Sequence, residues 1–255
     1  MTRTTGKFFF PSLLTTALMA FAGTAHAGHP LVSDDTGTQG SGHWQLEVNT
    51  DHTRVRDAGI TSWERELNTA LTYGVTDDLD IAINVPWLSV SPGGEPSERG
   101  VGDTTVLAKW RFFDNGKGWS LGLRPEITLP SGSESKGLGN GRATGALTLI
   151  STYESGPWIW LANAGLAYND NQAGNRKQLW AVSTAVQFNI NAQWTLAADV
   201  GASRAAEVGA SAEKFGLLGA IYHVNDDFDV DLGWRRSLNS DPTANTLGVG
   251  LALRW

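Results

Sequence analysis

Between Gly28 and Trp255 the chain divides into twelve short stretches in which apolar and polar side chains alternate. This two-residue period constrains the fold more than any other feature, because only a β-strand sends successive side chains to opposite faces. It is clearest in Trp158-Ile-Trp-Leu-Ala-Asn-Ala-Gly-Leu-Ala-Tyr168, where one face reads Trp158, Trp160, Ala162, Ala164, Leu166 and Tyr168. It recurs in Trp44/Leu46/Val48, Leu67/Thr69/Leu71/Tyr73/Val75, Leu79/Ile81/Ile83/Val85/Trp87 and Val106/Ala108/Trp110/Phe112. It continues in Trp119/Leu121/Leu123/Pro125/Ile127/Leu129, Trp180/Val182/Thr184/Val186/Phe188, Trp194/Leu196/Ala198/Val200, Phe228/Val230/Leu232/Trp234 and Leu247/Val249/Leu251/Leu253/Trp255. Residues 143–153 and 214–224 are also strand-like, with both facings open. No stretch after residue 27 keeps a 3.6-residue period, so the fold class is all-β.

The connections alternate in length. Tight turns rich in Asn, Asp, Gly or Pro fall at Thr76–Asp78, Asp114–Gly118, Ser155–Pro157, Asn189–Ala192 and Asn225–Asp227. Longer polar connections lie near 52–62, 91–102, 130–142, 169–178, 204–213 and 238–245. Five short turns interleaved with six longer loops give twelve antiparallel strands, with both chain ends on the short-turn side. An even strand number, dyad alternation and this asymmetry are the marks of a single up-and-down outer-membrane β-barrel with periplasmic termini. Closure follows from lipid, where an open sheet edge would leave backbone groups unsatisfied.

The N-terminus fits that address. Arg3 and Lys7 precede an apolar run from Phe8 to Ala22, and Ala25-His26-Ala27 follows, which reads residues 1–27 as a signal peptide cleaved after Ala27. Residues 28–42 then form a short periplasmic segment and 43–255 the barrel. Without Arg3 and Lys7, 17 Lys+Arg face 26 Asp+Glu, a formal charge of −9 that repels phosphate backbones and excludes nucleic acid as a partner. No cysteine is present, so disulfides and thiolate metal sites are excluded, and no cofactor or metal is expected.

A secreted soluble barrel or sandwich would use the apolar face as its core, and the tryptophans argue against it. All eleven lie on the alternating apolar face, preferentially near strand ends, with Trp160 one step further in. Trp44, Trp110, Trp119, Trp158, Trp194 and Trp255 mark the short-turn side, and Trp63, Trp87, Trp180 and Trp234 the long-loop side. Two belts with Leu, Val, Ile and Ala between them match interfacial girdles around a lipid-facing band.

The opposite face carries Glu47, Glu64, Glu66, Asp80, Asp103, Lys109, Arg111, Arg124, Glu126, Asp199, Asp229, Asp231 and Arg235, with Asp51 and Arg254 toward the rims. A mid-membrane Arg or Lys facing lipid costs about 2–4 kcal/mol, so these charges point inward and are the candidate pore-lining residues. Acids outnumber bases among them, which predicts a cation-leaning lumen. Lys109, Arg111, Arg124 and Glu126 flank one tight turn and read as a paired cluster that stiffens the wall. Twelve strands lie between the number whose side chains fill a barrel and the number that leaves a wide channel, so a narrow pore and a closed, salt-bridged interior both remain open. The last strand ends at Trp255, as expected of a strand read by the barrel-assembly machinery. Its inward residues Thr246, Gly248, Gly250 and Ala252 are small and leave room inside.

The run Tyr73-Gly-Val-Thr-Asp-Asp-Leu-Asp-Ile-Ala-Ile-Asn-Val-Pro-Trp87, then Gly100-Val-Gly-Asp-Thr104, then Leu129-Pro-Ser-Gly132 and Gly137-Leu-Gly-Asn-Gly141, resembles the transporter-like outer-membrane proteins grouped under the meta-pathway phenol-degradation name. Ser131 and Asn140 depart from that pattern, which has Thr and Ser there. The resemblance implies an outer-membrane barrel for passive uptake of small molecules, aromatic or hydrophobic compounds among them. By itself Gly100–Thr104 reads as a turn glycine before an inward Asp103, since neither Gly-Lys-Ser/Thr nor a helix follows to make a phosphate loop. Asp77-Asp78 and Asp226-Asp227 are ordinary turn residues without a calcium loop's spacing. Gly137–Gly141 supplies backbone freedom in an outer loop, with inward folding as a constriction left open. A rim hydrolase is the second hypothesis, with His52 beside Asp51 its one suggestive pair; a closed structural or adhesion barrel is the third. A continuous path wider than water favours transport, and a plugged interior favours a structural or lateral-exit role.

Overall fold

The computed structural model describes residues 28–93, 96–240 and 242–255; the segment read as a signal peptide, 1–27, lies outside them. The strands are β1 (Trp44–Asp57), β2 (Ile60–Thr76), β3 (Leu79–Ser91), β4 (Glu98–Val101), β5 (Thr104–Asp114), β6 (Trp119–Leu129) and β7 (Thr144–Ser155). They continue as β8 (Trp158–Tyr168), β9 (Gln178–Asn189), β10 (Trp194–Ser203), β11 (Glu213–Asn225), β12 (Phe228–Ser237) and β13 (Thr243–Arg254), with one 3-10 turn at Glu134–Lys136.

All pairings are antiparallel, and β1 pairs with both β2 and β13, so the sheet closes on itself. The seam is stitched at the chain ends by Trp44 N–H to Trp255 O at 2.9 Å and the reciprocal bond at 3.1 Å. The thirteen strands fill twelve positions in the wall, because β4 and β5 share one. β5 pairs with the first half of β3, up to Asn84↔Thr105, and β4 with the second, from Trp87↔Val101. The break falls at Pro86, which has no N–H to continue the ladder; its carbonyl still accepts from Gly102 at 2.9 Å.

The β1–β2 connection is tighter than the polar run 52–62 suggests. The strands continue to Asp57 and from Ile60, joined by Ala58 and Gly59, both at positive φ (47° and 83°), as a two-residue primed turn requires. Both stretches of open facing are now placed. Leu147 and Leu149 of β7 and Leu218 of β11 point outward, whereas Ile150 and Leu217 are buried inside.

The exterior is apolar and the interior polar, the reverse of a water-soluble barrel. On β13, Leu251 is 44% exposed while its neighbour Ala252 is 7%. Every tryptophan is on the outside, from 36% exposure at Trp44 to 56% at Trp255. Inside, polar and charged residues, Thr and Asp foremost, outnumber apolar ones among the buried residues, and the apolar ones include one small cluster of Leu31, Leu161, Ala185, Ala197 and Leu217. A closed barrel in this arrangement buries its leucine surface only in hydrocarbon. Leu251→Arg, at the middle of the outward stripe, is therefore expected to lower stability in lipid vesicles by about 2–4 kcal/mol, measured by denaturant titration. A change within a few tenths would place that stripe in water.

Candidate functional site in the lumen

The segment read from sequence as hanging in the periplasm, 28–42, instead runs inside the barrel. Its course can be followed through its partners. His29 contacts the carboxylates of Asp231 and Asp51, the latter at 3.6 Å. Pro30 lies against Gly219 and Gly233, where an added Cβ would come within 2.5 Å of the proline ring. At Gly248 and Gly250 a Cβ would meet the His29 imidazole at 2.5 and 2.7 Å. The space left by the small residues of the last strand is thus a seat for His29-Pro30, lined by glycines of three strands. Leu31 completes the internal apolar cluster.

Asp199 of β10 then accepts from Val32 N–H (2.8 Å), Ser33 N–H (2.7 Å) and Ser33 Oγ (2.9 Å), so this buried carboxylate anchors the segment's backbone. Asp34, 2% exposed, sits between Arg124 Nη1 at 2.6 Å and Lys109 Nζ at 3.4 Å. Thr36 donates its N–H to Thr152 Oγ1 at 3.0 Å and its hydroxyl meets that of Ser120. Gln39 N–H points at Asp80, 3.1 Å from both oxygens, and Thr38 Oγ1 and Ser41 N–H bond Asp77 at the short-turn rim. The segment thereby touches strands on every side of the lumen.

The physical reason for this placement is complementarity. A polypeptide without strand partners carries unsatisfied N–H groups, and inward carboxylates isolated from water carry unsatisfied acceptors; each supplies what the other lacks. Docking is held by hydrogen bonds, one ion-pair cluster and a few apolar contacts, with no continuous ladder to the wall.

The charges proposed to line the lumen do lie on the inner side of the alternation, but in separate groups. Asp51, Asp80, Asp199 and Asp231 serve the segment. Lys109 and Arg124 meet Asp34, with Glu126 3.4 Å from Arg124. The expected cluster of Lys109, Arg111, Arg124 and Glu126 is therefore not a wall brace alone, and Arg111 leaves it to bind Asp78 at 2.8 Å on the rim. Asp103 accepts from Gly132 N–H (2.8 Å) and Asn140 N–H (2.6 Å), pinning the connection between β6 and β7, whose Leu138 is 2% exposed. Glu47 is buried; Glu64, Glu66 and Arg235 face inward, half-buried. Asp229 pairs with Arg254 at 2.8 Å.

The suggestive Asp51–His52 pair is divided by the strand: Asp51 points inward to His29, and His52 is exposed on the outside. A different histidine network sits near the short-turn rim, with Thr195 Oγ1 3.0 Å from His223 Nε2 and His223 Nδ1 2.6 Å from Asp229. The Thr195 hydroxyl donates to Asn189 Oδ1 at 2.7 Å, and Thr195 is 2% exposed, so the network ties β9, β10, β11 and β12 together. Among the described residues no group of His, Cys, Asp and Glu has a metal-binding arrangement.

Residues 20–255 match the family described as "Putative MetA-pathway of phenol degradation". The chain belongs to this family. Among solved structures, an outer membrane channel from Pseudomonas putida F1 is 16% identical, covers 87% of this chain and 98% of its own length, and superposes with a TM-score of 0.74. The NanC porin is 9% identical over 81% of this chain and 98% of that one, with a TM-score of 0.58. The CymD monoaromatic hydrocarbon channel is 9% identical over 85% and 88%, with a TM-score of 0.50. Among curated proteins none matches the sequence. With an apolar exterior and this shared fold, the family member is an outer-membrane β-barrel.

Proposed function

We propose that the protein is a passive outer-membrane channel for small solutes whose lumen is closed at rest by residues 28–42. The observation that carries this is the nature of the closure: a peptide segment fills the lumen through side-chain and backbone hydrogen bonds, without strand pairing, and runs covalently into the wall at Trp44. A barrel meant only to be rigid fills its interior with wall side chains, as small barrels do. The channels that share the fold supply the class of cargo, small solutes and monoaromatic hydrocarbons among them. In this reading the long connections face outward, the short turns and both chain ends face the periplasm, and export removes residues 1–27. The terminal strand ending at Trp255 is the element offered to the barrel-assembly machinery, and the outward tryptophans sit at the two membrane interfaces.

The open lumen would present Asp51, Asp80, Asp199 and Asp231 freed from the segment, beside Glu64 and Glu66. Current through the purified protein in planar bilayers is therefore expected to be cation-selective. Anion selectivity, or silence at every voltage, would contradict the channel reading. The filled interior favours one second reading, a closed structural barrel, and silence is its signature.

A further inference from the structure

The strand charges are segregated by sign. Every acidic residue within the described strands lies on the inward side of the alternation, and the outward charged residues are all bases: Arg54, Arg56, Arg65, Arg99, Lys214 and Arg236. On a chain with an excess of acid this is not a composition effect. All of them lie at the long-connection end. Arg54 stacks its guanidinium over Trp63, 5.7 Å from the ring centroid. Lys214 is cross-strand from Ala202, two positions before Arg204, and Arg236 is cross-strand from Gly216, two positions after Lys214. Arg204, just past the end of β10, Lys214 and Arg236 are therefore diagonal neighbours across successive wall positions, about 7–8 Å apart.

Among the described residues no carboxylate pairs with Arg204, Lys214 or Arg236; the Arg204 guanidinium makes a 3.3 Å bond to Gln178 O. Beside them a cleft of about 400 Å³ is lined by Tyr168, Arg176, Lys177, Gln178 and Arg204. Arg176 donates to Ala205 O at 2.7 Å and fixes the neighbouring connection, and Lys177 is 3.2 Å from Asp170, whose hydrogen bond raises its pKa. Just below the bases lie Val200, Leu218 and Trp234, at 45–59% exposure. The outward residues at the same height on β5 to β8, Thr104, Leu129, Gly145 and Tyr168, carry no charge, so this row of bases is separated from Arg99 on β4.

A row of uncompensated bases above an apolar band matches one kind of ligand: an amphiphile with phosphates on its headgroup and acyl chains beneath. We propose that Arg204, Lys214 and Arg236, with the cleft at Arg176 and Lys177, form a binding site for a phosphorylated glycolipid of the outer leaflet. Bases supply charge-assisted hydrogen bonds to the phosphates, while Val200, Leu218 and Trp234 pack on the chains. The site rests on the reading that the long connections face outward.

The test uses full-length mature protein in detergent, titrated with diphosphoryl lipid A and followed by native mass spectrometry. The diphosphoryl lipid is expected to stay bound and its dephosphorylated form to be lost. The triple change Arg204→Gln, Lys214→Gln and Arg236→Gln is expected to weaken binding on the order of a hundredfold, the sum for three bases near an anionic lipid surface. The charge-conserving Arg204→Lys, Lys214→Arg and Arg236→Lys should retain it, and heat-modifiable gel mobility reports that both variants fold. Equal binding of the two lipids, an unchanged glutamine variant, or displacement by millimolar inorganic phosphate would overturn the proposal. Orientation is read separately from Ala173→Cys in this cysteine-free chain: labelling of intact cells by an impermeant maleimide supports it, and labelling only after lysis overturns it.

Discussion

Deleting residues 30–40 is expected to convert a quiet barrel into one that conducts in resolved steps, with current raised at least about tenfold over the intact protein under the same voltage, because a twelve-strand barrel without its filling has room for a hydrated path. The deletion removes His29's neighbours, Asp34 and the backbone that Asp199 and Asp80 hold, yet leaves every strand ladder intact. Strand pairing, not the segment, closes the wall, so the variant should still insert and show the gel shift of a folded barrel. Loss of the Leu31 contacts exposes Leu161 and Leu217 to the lumen and will cost some stability, which the same gel reads as a lower unfolding temperature.

Asp34→Asn is the finer cut and carries the second large effect. Arg124 is 4% exposed and Lys109 14%, and both depend on the Asp34 carboxylate for their closest ion pair. Removing one partner of a buried pair leaves an uncompensated charge, which costs about 3–5 kcal/mol. Here Glu126, at 3.4 Å from Arg124, and Asp35, at 3.7 Å from Lys109, offset part of it, which points to the lower end of that range. The cost falls on the docked segment, since the segment is free to leave while the strands are not. The expected result is a barrel of nearly unchanged unfolding temperature that opens far more often in a bilayer. If the variant instead stays shut and merely unfolds earlier, Asp34 is a brace of the wall and the segment is not a gate.

What the residues disclose in advance follows from the length scale of each interaction. The outward stripe is local: Leu247, Val249, Leu251 and Leu253 announce their face by a period of two, and the same period separates Asp51 from His52. Strand pairing across tight turns such as Asp77-Asp78 is local as well, so twelve wall positions were legible, and the facing of all but the two at 143–153 and 214–224. The β1–β2 hairpin was not read to its full height because outward Arg54 and Arg56 mask the apolar face there.

The segment 28–42 was illegible for a different reason. It carries no period, and its partners are far away in sequence: Ser33 meets Asp199 166 residues on, Asp34 meets Arg124 90 residues on, and His29 meets Asp231 202 residues on. One signal did exist. Gly219, Gly233, Gly248 and Gly250 all stand at inward positions on consecutive strands, where only a close approach of another backbone or ring requires the loss of Cβ. The excess of inward acids was legible but its use was not: several of these acids accept hydrogen bonds from the segment, so charge that read as a selectivity filter is also a docking surface.

A covalent lock tests the gate most directly. Thr36 and Ser120 place their hydroxyls 2.5 Å apart, so Thr36→Cys with Ser120→Cys can join the segment to β6 in a chain with no other thiol. In planar bilayers the oxidised double variant should be silent, and reduction should restore cation-selective openings in the same membrane. Equal conductance before and after reduction would show that solutes pass without the segment moving, and silence in both states would show that the barrel is no channel.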